Sequence, residues 1–378
     1  MGRDDPHGKA LAALAARGRL RSLTDTRGLD FTSNDYLALA ESAALRDAAA
    51  AALARGVPLG AGGSRLLRGN HPEHVALEAE AAVFFGSEAA LYFPTGFAAN
   101  AAIAATLPRR DDLIVHDALI HASVRDGLDP ARIAVAEVPH SDVGAIEEAI
   151  RGWRARGGRG RPWIMAETLY SMDGDRAPLD DLAALAERME AMLVLDEAHA
   201  TGVYGPDGRG LGAALEGRPH VISLHTCGKA LGAAGALVCL PARLRDFMVN
   251  RGRSFIYSTA PSPLMAAVVR AALKIAAGAE QERAQLAALV RHAGTWMRRL
   301  GLPASGSQIQ PVIVGPDTRA VALAHAMQER GYDVRAIRPP TVPEGTARLR
   351  LSLTLHATPG DLDALFADLA AELEKIPA

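Results

Sequence analysis

Short apolar runs alternate with helix-like segments through most of the chain. Residues 10–16 predict a short Ala/Leu helix, and 29–38 an extended segment. From about residue 43 the alternation is regular. Ala43–Arg55 and Glu73–Phe85 predict helices, stopped by Gly56 and Gly86. Ala89–Phe93, Leu113–Val115, Ile133–Val135, Trp163–Ala166, Ala191–Leu195, Val221–Leu224 and Ala236–Leu240 predict short strands. Leu182, Leu185, Ala186 and Met189 recur at helical spacing between two of them. Such alternation predicts an α/β domain with a mostly parallel central sheet. Past about 275 the rhythm changes: a helix over 280–300, a strand over 309–314, a helix over 318–330, strands over 332–337 and 347–354, and a last helix from Pro359. The organisation read from this is an N-terminal arm (1–42), a large α/β domain (43–275) and a smaller C-terminal α+β domain (276–378). The Arg/Gly-rich stretch 151–161 reads as a solvated turn.

Composition narrows the function classes. With 378 residues, 49% hydrophobic and 22% charged, the chain is globular rather than disordered. A net charge of −2 gives no field for nucleic acid or anionic lipid. The apolar runs are interrupted by Arg, Asp or Gly, so no membrane span is expected. Met1 to Lys9 is charged and no apolar core follows, so no secretory signal is expected. Two cysteines, Cys227 and Cys239, make no disulfide framework and suit a reducing cytoplasm. The basic residues are almost all arginine. Only Lys9, Lys229, Lys274 and Lys375 are lysines. A biased codon usage accounts for most of that. A lysine kept inside the Gly- and Ala-rich run Cys227-Gly228-Lys229-Ala230-Leu231-Gly232 still calls for a reason.

In an open parallel sheet, ligands bind at the carboxyl ends of the strands. Polar residues recur there: Thr95-Gly96-Phe97, His116-Asp117 with His121-Ala122-Ser123, Glu167 with Ser171-Met172-Asp173-Gly174-Asp175, Asp196-Glu197-Ala198-His199, and His225-Thr226 with Lys229. Asp196 ends an apolar strand. It is either a helix N-cap or a partner for a protonated ring nitrogen. Asp196-Glu197-Ala198-His199 also matches a helicase acidic box, but no GxxxxGK[ST] phosphate loop accompanies it. Thr95-Gly96-Phe97 at a helix start offers N–H groups to an anion. His121 is a loop histidine or an aromatic plate over a flat cofactor. His71 and His74 lack acidic or cysteine partners at metal spacing and read as loop residues, and no metal is expected.

A lysine beside small residues, an acid after a central strand and an anion cup are the parts of a pyridoxal phosphate site. The chain resembles the α-oxoamine synthases, fold type I pyridoxal phosphate enzymes. The markers are Ser33-Asn34-Asp35-Tyr36-Leu37, the run from Gly60 to His71, Thr95-Gly96-Phe97-Ala98-Ala99-Asn100, His121-Ala122-Ser123, Ser171 to Asp175, Asp196 to His199, Thr226 with Lys229, and Ile256-Tyr257-Ser258-Thr259. Together they cover nearly the whole chain. Ala336 to Leu353 is most typical of the member that joins L-alanine to a pimeloyl thioester, from CoA or an acyl carrier protein. The alternative is another member, such as 2-amino-3-ketobutyrate CoA ligase or 5-aminolevulinate synthase. A catalytically dead binding subunit would lack the lysine.

The resemblance implies roles. Lys229 forms the Schiff base with pyridoxal 5'-phosphate and moves the Cα proton. Asp196 pairs with the pyridine nitrogen, and His121 stacks on the ring. His199 and Ser171 bond the phenolic oxygen. Thr226 and the N–H groups of Gly96 and Phe97 hold the phosphate. Thr259 reaches the phosphate of the other subunit in a homodimer with shared sites, where the Gly60–Gly63 loop and the Ser254–Thr259 stretch meet. Arg350 clamps the amino acid carboxylate, an assignment that Arg348 on the same strand face leaves open by two residues. Arg21, Asn34, Thr341 and His121 contact substrate. Cys227, Pro94 and Thr95 depart from the family pattern without removing a required group. Cys227, two residues from Lys229, raises the question of sensitivity to thiol reagents.

Overall fold

The computed structural model describes residues 5–129 and 131–375. The outer ends of the expected arm and C-terminal domain, 1–4 and 376–378, lie outside the described residues. Along the chain, helix α1 (Pro6–Ala16) and strand β1 (Leu29–Asp30) precede α2 (Ala43–Ala54) and α3 (Pro72–Phe85). An alternating series follows: β2 (Ala89–Phe93), α4 (Gly96–Thr106), β3 (Leu113–Asp117), α5 (Ala122–Gly127), β4 (Ala134–Val138), α6 (Val143–Ala155), β5 (Pro162–Glu167), α7 (Leu179–Arg188), β6 (Met192–Asp196), β7 (Val221–Thr226) and β8 (Ala236–Leu240). Helices α8 (Ala242–Arg251), α9 (Arg253–Ile256), α10 (Pro263–Gly278) and α11 (Glu280–Arg299) come next. They are followed by β9 (Ile309–Gly315), α12 (Asp317–Glu329), β10 (Tyr332–Asp333), β11 (Ala336–Ile337), β12 (Ala347–Ser352) and α13 (Pro359–Lys375).

The chain divides into two units. Leu37–Ser171 with Arg176–Arg283 form the larger; the remaining described residues, Met172–Asp175 among them, form the smaller. The expected arm is therefore not a part by itself. Its strand β1 pairs in parallel with β10, and Ser352 N–H donates to Phe31 O at 2.9 Å. Gly28 sits at φ +81°, where a Cβ would lie 2.1 Å from Gly331 O, so the close approach requires glycine.

The larger unit holds a seven-stranded sheet in the order β2-β8-β7-β6-β5-β3-β4. Only β8 runs against its neighbours β2 and β7. The inner strands are buried from end to end, which is why they read as unbroken apolar runs. The structure extends several of them beyond the apolar run. β3 reaches Asp117, β5 reaches Glu167, β6 reaches Asp196 and β7 reaches Thr226, so these polar residues are the last residues of their strands. The two apolar clusters of the sheet include Ile103, Ile222 and Val238 in one and Ile150, Leu185 and Leu193 in the other.

Four local expectations change. The 151–161 stretch is a turn only after Ala155. Ile146, Ile150 and Trp153 line one buried face of α6, so the helix continues through Arg151. The 29–38 segment is a strand only at its start, because Asp30 Oδ1 accepts the N–H groups of Thr32 and Ser33 at 2.8 Å and turns the chain. The strand expected over 332–337 is two short strands with different partners. His74 is not a loop residue but lies in the first turn of α3, just after His71 at the helix cap. His71 caps α3 by accepting Glu73 N–H at 3.2 Å, and buried His74 accepts His71 N–H at 3.2 Å. In the smaller unit, β11, β12 and β9 form an antiparallel sheet, and α12 contacts it.

Candidate active site

The larger unit gathers the expected cofactor residues around the ends of β5, β6 and β7. Asp196, 6% exposed, ends β6. Its Oδ2 accepts the Asn100 amide at 2.7 Å and its Oδ1 accepts Ala198 N–H at 2.9 Å. The Asn100 amide also donates to Ser123 Oγ at 3.0 Å. Ser123 Oγ lies 2.7 Å from His121 Nδ1, which accepts Ser123 N–H at 3.2 Å. That acceptor role at Nδ1 calls for a neutral ring protonated at Nε2. Burial holds the His121 pKa below the usual histidine value, against the pull of Asp196 and with the help of Lys229. A neutral imidazole is what a flat stacking partner needs. Phe97 packs edge-on against it, with centroids 6.4 Å apart.

Lys229 Nζ is 2.8 Å from Nε2 of buried His199. The lysine therefore has a polar neighbour two residues beyond buried Cys227. Burial pushes the Cys227 thiol pKa far up and packs the residue away from solvent, which disfavours the reaction with thiol reagents raised above.

The anion cup is formed by α4 and Thr226. Thr95 caps α4, accepting Ala98 N–H at 3.0 Å. A Cβ on Gly96 would stand 3.5 Å from Thr226 Oγ1. Glycine there leaves the helix N-terminus and the Thr226 hydroxyl open to one shared ligand. Ser171 N–H donates to Glu167 Oε2 at 3.0 Å. The donor set fits pyridoxal phosphate: an amine for its aldehyde, a buried carboxylate for its ring nitrogen, a neutral ring to stack and N–H groups for its phosphate. Thr259 is exposed. Its neighbour Ala260 donates N–H to Gly63 O at 2.9 Å, so the two glycine- and serine-bearing stretches already meet within one chain.

The smaller unit holds the expected substrate residues other than His121, which lies in the larger. Arg350, 8% exposed on β12, donates to Ser352 Oγ at 2.7 Å and to Asn34 Oδ1 at 3.0 Å. Arg348 on the same strand instead pairs with the Asp173 carboxylate. Arg21 donates to Thr341 Oγ1 at 3.1 Å. Arg338 stands near: burial and then the Arg21 charge hold its pKa below the usual arginine value. Sequence reasoning includes Asn100, Ser123, Glu167 and Arg338 within its motifs but gives them no role. The role of Asn100 could have been found, since it lies one turn along α4 from Gly96. The others depend on contacts that spacing does not reveal.

Comparison with known proteins agrees with this chemistry. The model of the aminotransferase class I and II family matches residues 26–369. An 8-amino-7-oxononanoate synthase of Anaeromyxobacter sp. (strain K) is 42% identical over 98% of this chain and 96% of that protein. The crystal structure of 8-amino-7-oxononanoate synthase from Francisella tularensis has a TM-score of 0.77 at 26% identity, covering 92% of this chain and 98% of that one. A serine palmitoyltransferase from S. paucimobilis has a TM-score of 0.89 at 24% identity, covering 99% of each chain, and shares the fold. The chain belongs to the aminotransferase class I and II family and, within it, to the 8-amino-7-oxononanoate synthase group of pyridoxal phosphate-dependent enzymes.

Proposed function

We propose that this enzyme joins L-alanine to a pimeloyl thioester, carried on CoA or an acyl carrier protein. It forms 8-amino-7-oxononanoate and releases CO₂ and the thiol, a step of biotin synthesis. The cofactor supplies an electron sink for the carbanion at the alanine Cα. Lys229 holds the cofactor and then takes and returns the Cα proton. Asp196 pairs with the ring nitrogen, and its own hydrogen bonds from Asn100 and Ala198 hold the carboxyl group in place. His121 covers the ring, while His199 and Ser171 orient its phenolic oxygen. Thr226, Gly96 and Phe97 hold the phosphate, and Thr259 serves the phosphate of a second copy in a cytoplasmic homodimer.

Arg350 takes the alanine carboxylate, with Asn34 beside it. The pairing of Arg348 with Asp173 supports Arg350 for that task. The observation that carries the substrate choice is a second cationic pair. Burial first, and then the Arg21 charge, disfavour the charge of Arg338 despite the pull of Asp317, and Thr341 accepts from Arg21 beside it, an arrangement relieved by an anion. A pimeloyl chain ends in such a carboxylate; an acetyl chain does not. The test is thiol release with alanine, glycine and serine against pimeloyl-, succinyl- and acetyl-CoA. Alanine with pimeloyl-CoA is expected to exceed every other pair. A preference for glycine with succinyl- or acetyl-CoA would overturn the assignment and place the enzyme with another member of its family.

A further inference from the structure

Glu167, the last residue of β5, stands in register with Asp196, the last residue of β6. Partners in a parallel pair send their side chains to the same face. Two carboxyl groups therefore lie side by side at the strand ends, and both are buried, at 2% and 6% exposure. Their surroundings differ. Asp196 accepts hydrogen bonds on both oxygens. Glu167 accepts one, from Ser171 N–H on Oε2, and its buried Oε1 has no partner among the protein atoms. Two neighbouring buried carboxyl groups do not both ionise at neutral pH. The proton goes to the one with fewer donors, and that is Glu167.

We propose that Glu167 is a positioning residue of the cofactor site: a neutral carboxylic acid that fixes the Ser171 backbone through one oxygen and leaves the negative charge on Asp196. This rests on the assignment of Asp196 to the cofactor's ring nitrogen. The charged groups that bear on Glu167 are Asp196 from β6, Lys229 from the segment after β7 and Asp117 from β3. Burial first, then Asp196, pushes its pKa up to about 8; Lys229 and the Ser171 N–H oppose this, and Asp117 adds to it. A neutral acid also has an O–H to offer. Oε1 is the oxygen left to carry it, toward Asp196 or a bound group. The ring nitrogen would then meet one carboxylate of defined charge rather than a pair sharing a proton in two ways.

Glu167→Gln is neutral at every pH and keeps an oxygen for Ser171 N–H; Glu167→Leu keeps neither acceptor nor donor. Infrared spectra of the cofactor-loaded protein at about pH 6.5 report a protonated carboxylic acid through its C=O stretch, distinct from that of a carboxylate. Wild type is expected to show that band and Glu167→Gln to lack it. The Gln variant is expected to bind pyridoxal phosphate within about threefold of wild type, and the Leu variant at least about tenfold more weakly, ~1.4 kcal/mol. A band unchanged in Glu167→Gln would overturn the proposal, because the proton would then lie elsewhere. A Gln variant as impaired as Leu would also overturn it, because the charge of Glu167 would then be required. Thiol release is measured apart. Wild type that shows the band and binds the cofactor but forms no ketone product would sink the proposed condensation and leave Glu167 in its role.

Discussion

The two units solve opposite electrostatic problems. In the larger, buried acids meet groups that gain positive charge: Asp196 with its amide and N–H donors stands beside a neutral Glu167, with Lys229 as the amine. In the smaller, buried or crowded arginines meet groups that bring negative charge: Arg350 held by neutral oxygens, and Arg21 against Arg338. On the proposed roles, the site in the larger unit would hold a cationic ring and the sites in the smaller would hold carboxylates. The difference matches a lysine at the first site and arginines at the second. An ammonium can lose its proton and form a covalent bond, whereas guanidinium stays charged and grips a carboxylate with two N–H groups.

The largest expected effect lies on the lysine. Lys229→Ala should bind pyridoxal phosphate more weakly and resist borohydride fixation. Turnover should fall by on the order of 10⁴-fold or more, as for the loss of a covalent catalytic group. Single-turnover assays and mass spectrometry after borohydride check both. A variant that is still fixed at another lysine would break the assignment of the amine chemistry to Lys229.

Next is the acid. Asp196→Asn keeps the shape but cannot hold a protonated nitrogen. Turnover should fall by roughly 10²–10³-fold, about 3–4 kcal/mol, with the fold intact. An Asn variant within about tenfold of wild type, ~1.4 kcal/mol, would mean another group supports the ring. Measured in the Glu167→Gln background, the same substitution tells whether the two strand-end acids act as one unit.

The arginines sharpen the comparison from the other side. Arg350→Ala should raise KM for alanine by roughly 10–100-fold, the worth of about 1.5–3 kcal/mol for hydrogen bonds to a charged group. Arg348→Ala should leave that KM near wild type and lower stability instead. It strips Asp173 of its partner, at a cost of roughly 2 kcal/mol, below that of a fully buried pair because Asp173 is 30% exposed. Steady-state kinetics and urea unfolding separate the two.

The pairing of Arg348 also marks where spacing stops being informative. Strand β12 shows two arginines on one face, and nothing in its pattern says which meets a carboxylate. The answer comes from Asp173, far away in the chain. The parallel strands were legible for the converse reason. A strand buried on both faces is apolar throughout, and its ends are marked by the first residues that bond a ligand or cap a helix. Lys229, Asp196 and Thr226 were found because they break such runs. Glu167 breaks one too, but its meaning depends on the β5–β6 register. Helix α10 was missed because its Ala- and Val-rich sequence buries half of its residues and shows no clean polar face.

The smallest expected effect concerns acid stability, and it also divides the units. In the larger unit His74, His116 and His121 all have pKa values held below the ordinary 6.5, first by burial. Two of them are locked neutral by geometry as well. His74 Nδ1 accepts His71 N–H, and His121 Nδ1 accepts Ser123 N–H. A histidine whose folded pKa is depressed binds fewer protons folded than unfolded. Its share of stability is full above 6.5 and is lost as pH falls below that value. In the smaller unit Asp361, Asp363 and Glu372 are carboxylates with pKa values lowered by hydrogen bonds from Thr358, from Trp296 and His292, and from Lys375 and Arg330. Their share survives until pH falls below the ordinary 3.8–4.5. Between about pH 7.5 and 5.5, hydrogen-exchange protection should therefore decline locally around Ser123 and the start of α3 and hold in the smaller unit, while around β5 it should rise, because Glu167, with its pKa raised to about 8, binds its proton folded but not unfolded. His74→Gln, which keeps a donor and an acceptor without titrating, should flatten the decline around α3 alone. Equal decline in both units would mean that acid acts on the two through a shared transition, and that the histidines do not set its window.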